Sequence, residues 1–410
     1  MANTFITPNW VTKDVALNFD NELALLSQFD RSWDDSFKDK PEGAQIGYTV
    51  QARIQQRFTV SEGQALNQQS ILNQTVPITI NHQYHVDMGW SSAQATLEVE
   101  EVQDRYTRPA GQALASKWDA TAGQEVYRSV YFSVGTPGTA ITANSTYTRA
   151  QAILRSMAVP AEFCAVLDPQ SQADIANANI ALFNPQALVG SMFRNAQFAN
   201  AKQLGIDDWY VDPLMPAHVT GTFTSSTPVV SSAGQTGSTL ALSGLGTYTF
   251  KAGDVFTVDS VFAVNPLSYT TTRYLQQFVV TSDVSGSSTV TLNISPSIIT
   301  SGQLQTVNVS PANNAAVTFL GSTGTVNATM SATTSVQNLI FNPAAFAFVM
   351  ADLKSNLAGA KTERVQSKIR GLSMRYAEQY NIQTDQNPSR IDTIAGVAPI
   401  LPYYAVRAWS

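Results

Sequence analysis

Three histidines, a single cysteine and a few neighbouring carboxylates are the side chains of this 410-residue chain that first invite a chemical reading. His82 and His85, with Asp87, form the one cluster that resembles a metal site. On a strand, residues three apart face opposite sides, so the two imidazoles do not converge, and a structural zinc wants four convergent ligands. His218 stands beside a sharp change of composition and reads as a plain loop residue. Cys164, inside Phe163-Cys164-Ala165-Val166-Leu167, reads as a buried strand thiol and has no second cysteine to pair with. Asp34-Asp35 and Asp207-Asp208 are sequence neighbours, and neighbours on a strand face apart, so paired-carboxylate catalysis does not follow. No nucleophile elbow, zinc-protease helix or phosphate loop occurs. Gly244-Leu245-Gly246 comes nearest to a dinucleotide fingerprint, but lies in a Ser/Gly-rich β stretch with no helix after it. The expectation is no catalytic residue, no cofactor, no metal site and no enzyme.

Composition narrows the class further. With 44% apolar residues the chain can bury one large core or two smaller ones, while 13% charged residues and a net charge of −6 leave no basic stripe for gripping nucleic acid. Arg31, Arg53 and Arg57 are too sparse for a phosphate-binding patch and suit ion pairs with another subunit instead. No run approaches the roughly 20 apolar residues that span a bilayer, and no secretion signal is visible at the start. A cytoplasmic site of synthesis and no membrane partner are therefore expected.

The elements that would carry these residues are read from periodicity. Residues 13–37 place Val15, Phe19, Leu23, Leu26 and Trp33 near one helical face, which predicts an amphipathic arm. The period then changes to two. Tyr48, Val50, Ala52, Ile54, Phe58 and Val60 alternate with polar residues, a polar bend covers 61–73, and Val76, Ile78, Ile80, Tyr84, Val86 and Met88 repeat the device. The pattern predicts a long hairpin, and a two-stranded ribbon is marginal alone in water, so its apolar face needs a cover. Residues 98–131 follow with helical spacing, a rod of roughly 50 Å unless Pro109 kinks it or Gly123 breaks it. A capped helix is expected over 145–157, stopped by Pro160.

Leu182-Phe183-Asn184-Pro185-Gln186 and Ile340-Phe341-Asn342-Pro343-Ala344 echo each other as strand ends running into an Asn cap and a Pro at the first helical position. The second predicts a helix over 343–357. From 219 to 336 the only charges are Lys251, Asp254, Asp259, Arg273 and Asp283, among short β-branched runs divided by turn residues. This predicts an inserted all-β barrel or sandwich inside an α+β domain that resumes afterwards. Strand character is expected over 367–379, and 391–409 is an apolar run punctuated by Gly396, Pro399 and Pro402.

The order of parts, together with particular text, resembles a known family. The text is 48–58 with Ser61-Glu62-Gly63, Asn81 to Asp87 leading into Leu97-Glu98-Val99, Gly205-Ile206-Asp207-Asp208 before Pro213-Leu214-Met215-Pro216, Lys251-Ala252-Gly253-Asp254, 338–352, Tyr380-Asn381-Ile382 and Arg390-Ile391-Asp392. The chain resembles tailed-bacteriophage capsid proteins of the Hong Kong 97 fold, and more closely the coat proteins of short-tailed lambdoid phages that carry an insertion domain. That resemblance implies an α+β Hong Kong 97-type fold with an inserted barrel-like β domain. By it, 1–42 is the N-terminal arm, 43–88 the extended hairpin loop and 89–144 the peripheral domain with its spine helix. Residues 145–218 and 337–381 are the two parts of the axial domain, 219–336 the insertion, and 382–410 a strand returning to the peripheral domain. It implies a major capsid subunit forming hexamers and pentamers of an icosahedral shell, with scaffolding protein, portal protein and enclosed double-stranded DNA as partners, located in the virion after assembly in the host bacterial cytoplasm. Tyr48, Arg53, Ile54, Arg57, Phe58 and Glu62 are its candidate intersubunit contacts. The competing expectation is a tail or surface protein whose β-module recognises a carbohydrate.

Overall fold

The period-two segments do pair as strands, but with partners that local pattern does not reveal. The computed structural model describes residues 8–34, 49–64, 66, 68–91, 108–179, 205–354, 359–366 and 372–410. It divides into two compact units, one of 1–52, 75–122 and 346–398, the other of 53–74, 123–345 and 399–410.

In the first unit, strands Phe346–Met350, Gln386–Pro399, Ser373–Glu378 and Lys361–Gln366 lie side by side, and His82–Ser91 also pairs with Gln386–Pro399. The helix Arg108–Val126 buries Trp118 against this layer, its ring 4.7 Å from Tyr84 and 5.9 Å from Phe348. The arm helix Pro8–Glu22 buries Val15 and Phe19 and crosses the long helix closely. A Cβ at Gly111 would stand 3.0 Å from both the Asn18 Cβ and the Val15 carbonyl oxygen, so glycine sets that approach.

Several expectations are corrected here. The arm helix ends at Glu22 and a 3-10 turn, Leu26–Gln28, follows, because Asp119 of the long helix accepts from the Ala24 and Leu26 amides at 2.9 Å each. Trp33 therefore lies beyond the helix rather than on its face. The long hairpin shrinks to Thr49–Arg53 paired with Thr75–Thr79, and the expected return strand breaks near Asn81 so that its second half joins another sheet. The side-chain alternation survives this, since Tyr84, Val86 and Met88 face inward while Gln83, His85 and Asp87 face out. Within the described residues the long helix begins at Arg108, which puts Pro109 in the first turn, where a missing amide costs nothing. Gly123 lies inside it without a break.

The second unit combines a mixed sheet with the β-rich module. Ser133–Gly135, Ala405–Trp409, Thr334–Phe341, Cys164–Leu167 and Asp208–Val211 are neighbours in that order, and Ala217–Val219 pairs with the start of Thr334–Phe341. A helix forms at Asn144–Ser156, close to the expected 145–157, and buries Tyr147, Ala150, Ile153 and Leu154, but the expected cap is absent, because Ala143 stands at the N-cap and has no side chain to bond the first amides. The expected helix over 343–357 is not formed. A 3-10 turn, Pro343–Ala345, gives way to the strand Phe346–Met350. Asn342 does cap the turn, its Oδ1 accepting from the Ala344 amide at 3.0 Å, but Phe346–Met350 is buried at every position, and a short apolar run covered on both faces suits a strand, here at the edge of its sheet. The companion stretch at 182–186 lies outside the described residues.

The module comprises eight strands from Thr222–Ser226 to Ala328–Met330, with Gly237–Phe250 and Val284–Ile298 paired along most of their length. A bridge between Val229 and Ala316, with the Val317 amide on the Pro228 carbonyl, brings the edge strand Val317–Phe319 back toward Val229–Val230 and closes a barrel. Its core is a cluster of rings: Phe250 stacks on Phe319 at 4.5 Å, and Phe256 lies near both Phe278 and Phe319. Burying rings with few charged residues to orient them explains why this segment reads as Ser, Thr, Gly and Val.

Asp212, where the chain leaves Asp208–Val211 toward the module, is buried. Its Oδ1 accepts from the Leu214 amide at 2.8 Å, and its Oδ2 has no hydrogen-bond partner among the described residues. Burial raises its carboxyl above the ordinary 3.8. A raised acid penalises the native state at every pH above its native value, and the penalty fades as pH falls toward the unfolded value. Asp212→Asn is therefore expected to raise the thermal midpoint at pH 7 and to lose that advantage near pH 4, read by scanning calorimetry at both.

Candidate intersubunit surface

The segment 54–74 leaves the short hairpin and returns to it, its base held by the Ile54 amide on the Gln74 carbonyl at 3.0 Å. Its described residues belong to no strand. It is braced internally by Gln69, whose Oε1 accepts from the Thr59 amide at 2.9 Å and whose Nε2 donates to the Thr59 carbonyl. Among the described residues, its contacts with the rest of its unit include two from side chains. Gln303 of the module donates to the Gln69 Oε1 at 3.1 Å, and the Arg57 guanidinium lies 5.0 Å over the ring of Tyr403.

Arg57 occupies a tyrosine cluster. Burial pushes the Tyr404 phenol up to about 12, with Tyr403 adding to the rise, and Arg57 opposes it. Tyr131 and Tyr269 are likewise raised by burial and drawn down by the same guanidinium.

What this segment does not do is bury its own apolar side chains. Val60 is 97% exposed, Leu66 93%, Ile71 69% and Phe58 57%. Single exposed apolar side chains are common on any surface, but five in one short segment, Leu72 at 42% included, make an uncovered apolar patch. Of the expected contact residues, Phe58 and Glu62 are exposed at this segment, and Arg53 is exposed on the strand that leads into it. Ile54 is half-buried at the base, Arg57 is half-buried against tyrosine, and Tyr48 lies outside the described residues.

The remaining chemical candidates resolve into packing. His82 stacks on Tyr84 at 5.7 Å while His85 faces solvent, 3.0 Å from Asp87. Cys164 is buried, and burial pushes its thiol up. Among the described residues no three His, Cys, Asp or Glu side chains converge as metal ligands, and no described helix is long and apolar enough to cross a membrane. His218 corrects the reading as a loop residue. It lies on the strand Ala217–Val219, is 3% exposed, and its Nε2 is 2.9 Å from Asp254. Its environment was hidden because the partners Asp254 and Tyr127 are 36 and 91 residues away in sequence.

Comparison with known proteins follows from this geometry. Solved structures of similar outline cover most of the chain at low identity. The structure from Mycobacterium phage Che8 is 10% identical over 94% of this chain and 90% of that one, with a TM-score of 0.42. The virus-like particle from Pyrococcus furiosus is 7% identical over 99% and 100%, with a TM-score of 0.43. The CUS-3 coat protein I-domain is 23% identical over 24% of this chain and 96% of that one, with a TM-score of 0.19. A search among curated proteins gives no match. The family described as P22 coat protein, gene protein 5, matches residues 51–405, so the chain belongs to the P22 coat protein family and is a major capsid protein of a tailed bacteriophage with the α+β fold of Hong Kong 97-type shells.

Proposed function

We infer that this subunit assembles into hexamers and pentamers of an icosahedral shell around double-stranded DNA, in a host bacterial cytoplasm, with a scaffolding protein and a portal as assembly partners. The carrying observation is the segment 54–74, whose apolar side chains find no cover in the single copy. A symmetric shell supplies that cover by placing the same surface beside every neighbour. The assignment of 1–42 as arm, 43–88 as extended loop and 219–336 as insertion domain belongs to this reading. So does a spine role for Arg108–Val126, most of which shares one compact unit with 346–398. The role is structural rather than catalytic, and enclosed DNA is held without sequence reading, consistent with a net charge of −6. The carbohydrate-binding alternative loses support from the module, where Phe250, Phe256, Phe278 and Phe319 are buried in the core instead of forming an exposed platform.

Electron microscopy of the protein expressed with its scaffold is expected to show closed shells. A monodisperse monomer with and without scaffold would overturn the reading, and clear hits on a glycan array would favour the alternative.

A further inference from the structure

Four segments of the second unit meet where the β-module joins the mixed sheet, and a connected polar network lies at the junction. Asp254, 2% exposed in the turn 251–254, accepts from the His218 Nε2 at 2.9 Å, the Gly221 amide at 3.1 Å and the Lys251 amide at 2.7 Å. The other His218 nitrogen is 3.3 Å from the Tyr127 hydroxyl, which accepts from the Arg128 Nε at 3.2 Å. These bonds are all satisfied when His218 donates to Asp254 and accepts from Tyr127. Arg407, fully buried on the C-terminal strand, donates to the Gly253 carbonyl at 2.9 Å and lies over the rings of Tyr127 and Trp409 at 5.8 and 5.2 Å. Gly253 itself is required there: its φ is +107°, and a Cβ would meet the His218 ring at 3.0 Å.

The buried charges are one guanidinium, Arg407, and one carboxylate, Asp254, with Arg128 exposed at the edge; among the described residues Arg407 makes no direct ion pair, and Asp254 acts on it through space. Burial pushes the guanidinium down to about 10, and Tyr127 and Asp254 oppose that shift. Two further ties flank the network: Gln277 is bonded both ways to the Ser133 backbone at 2.5 and 3.0 Å, and the Asn265 side-chain Nδ2 donates to the Ser156 carbonyl at 2.7 Å. Val255, Ala263 and Val279 of the module share one apolar cluster with Phe132, Val406 and Trp409. Apolar contact holds surfaces together without choosing an angle between them, whereas buried directional bonds admit one arrangement and penalise the others.

We propose that Asp254, His218 and Arg407 are positioning residues that fix the orientation of the β-module on its parent sheet and so decide where its surface meets neighbouring copies. The second half of this rests on the capsid reading, and the first does not. Buried ion clusters add little net stability over apolar replacements of similar volume, while removal of one partner alone leaves a stranded charge. Full-length Asp254→Asn and Arg407→Met are therefore each expected to lower the thermal midpoint. The double variant, which strands no charge, should recover much of it. Limited proteolysis of the double variant should still cut the connectors 212–221 and 331–336 about tenfold faster than in the parent protein, leaving a module-sized resistant fragment. Its particles in the microscope should be irregular. A double variant with parental cleavage and regular shells would overturn the proposal. So would one that fails to fold or melts as low as the singles without selective connector cleavage, because the network would then be a stability element. Failure of the parent protein to form shells with scaffold would count against the capsid reading alone, since the protease comparison still decides the orientation claim.

Discussion

A subunit carrying Phe58→Ser and Val60→Ser is expected to fold as the parent does and to fail to close into shells at concentrations where the parent assembles. Both side chains are mainly in water in the single copy, at 57% and 97% exposure, so their loss should move the thermal midpoint little. In the proposed shell a neighbouring copy would cover the same side chains. Burying an apolar side chain of this size contributes about 1.5–3 kcal/mol, so two of them withdraw at least about 3 kcal/mol per subunit from association. Each 1.4 kcal/mol is tenfold in an equilibrium constant, which puts the rise in the concentration needed for assembly at a hundredfold or more. Circular dichroism melts and light-scattering titrations of the two proteins read these quantities separately. A double variant that assembles at the parental concentration would show that this segment is not the adhesive surface, whatever the family does elsewhere.

How far sequence alone could see depends on how local each determinant is. The alternation at Tyr84, Val86 and Met88 and the helix at Asn144–Ser156 are set by neighbouring residues and were legible. The barrel segment was legible because scarce charge and frequent β-branching persist across more than a hundred residues. The boundary of the arm helix was not, because it is drawn by Asp119, some 95 residues away. Phe346–Met350 reads as a helix opening, and tertiary burial on both faces overrides that local signal. For the candidate intersubunit surface, the alternating pattern marks the stretch whose apolar side chains the structure leaves exposed, yet it implied a ladder to Val60 that pairing does not supply. Phe58 and Val60 are apolar at period two without belonging to a strand. The joint at the module base was invisible for a different reason. Arg407 interrupts an apolar run by a single residue, and only the fold shows that the gap is filled by Gly253, a turn 154 residues earlier.

The first unit should depend most on Trp118. The side chain is fully buried, its Nε1 donates to the Thr393 hydroxyl at 2.8 Å, and its ring meets Tyr84, His82 and Phe348 edge-on. Truncation to alanine removes that ring area and leaves a cavity between helix and sheet, at a cost of about 3–5 kcal/mol. It also strands a buried threonine hydroxyl, which adds a further 1 kcal/mol or so. Against a total stability on the order of 5–15 kcal/mol, Trp118→Ala should leave a protein that is largely aggregated or unfolded at 37 °C. Trp118→Phe keeps most of the volume and gives up the hydrogen bond, so its loss should be roughly 1–2 kcal/mol, with soluble protein and a midpoint lowered by a few degrees. The order matters more than either value. If the alanine and phenylalanine variants melt together, the hydrogen bond and not the packing holds the helix to the sheet. If both melt with the parent, the layer formed by Phe346–Met350 and Gln386–Pro399 supports itself without the helix, and a spine role for Arg108–Val126 would have to be given up.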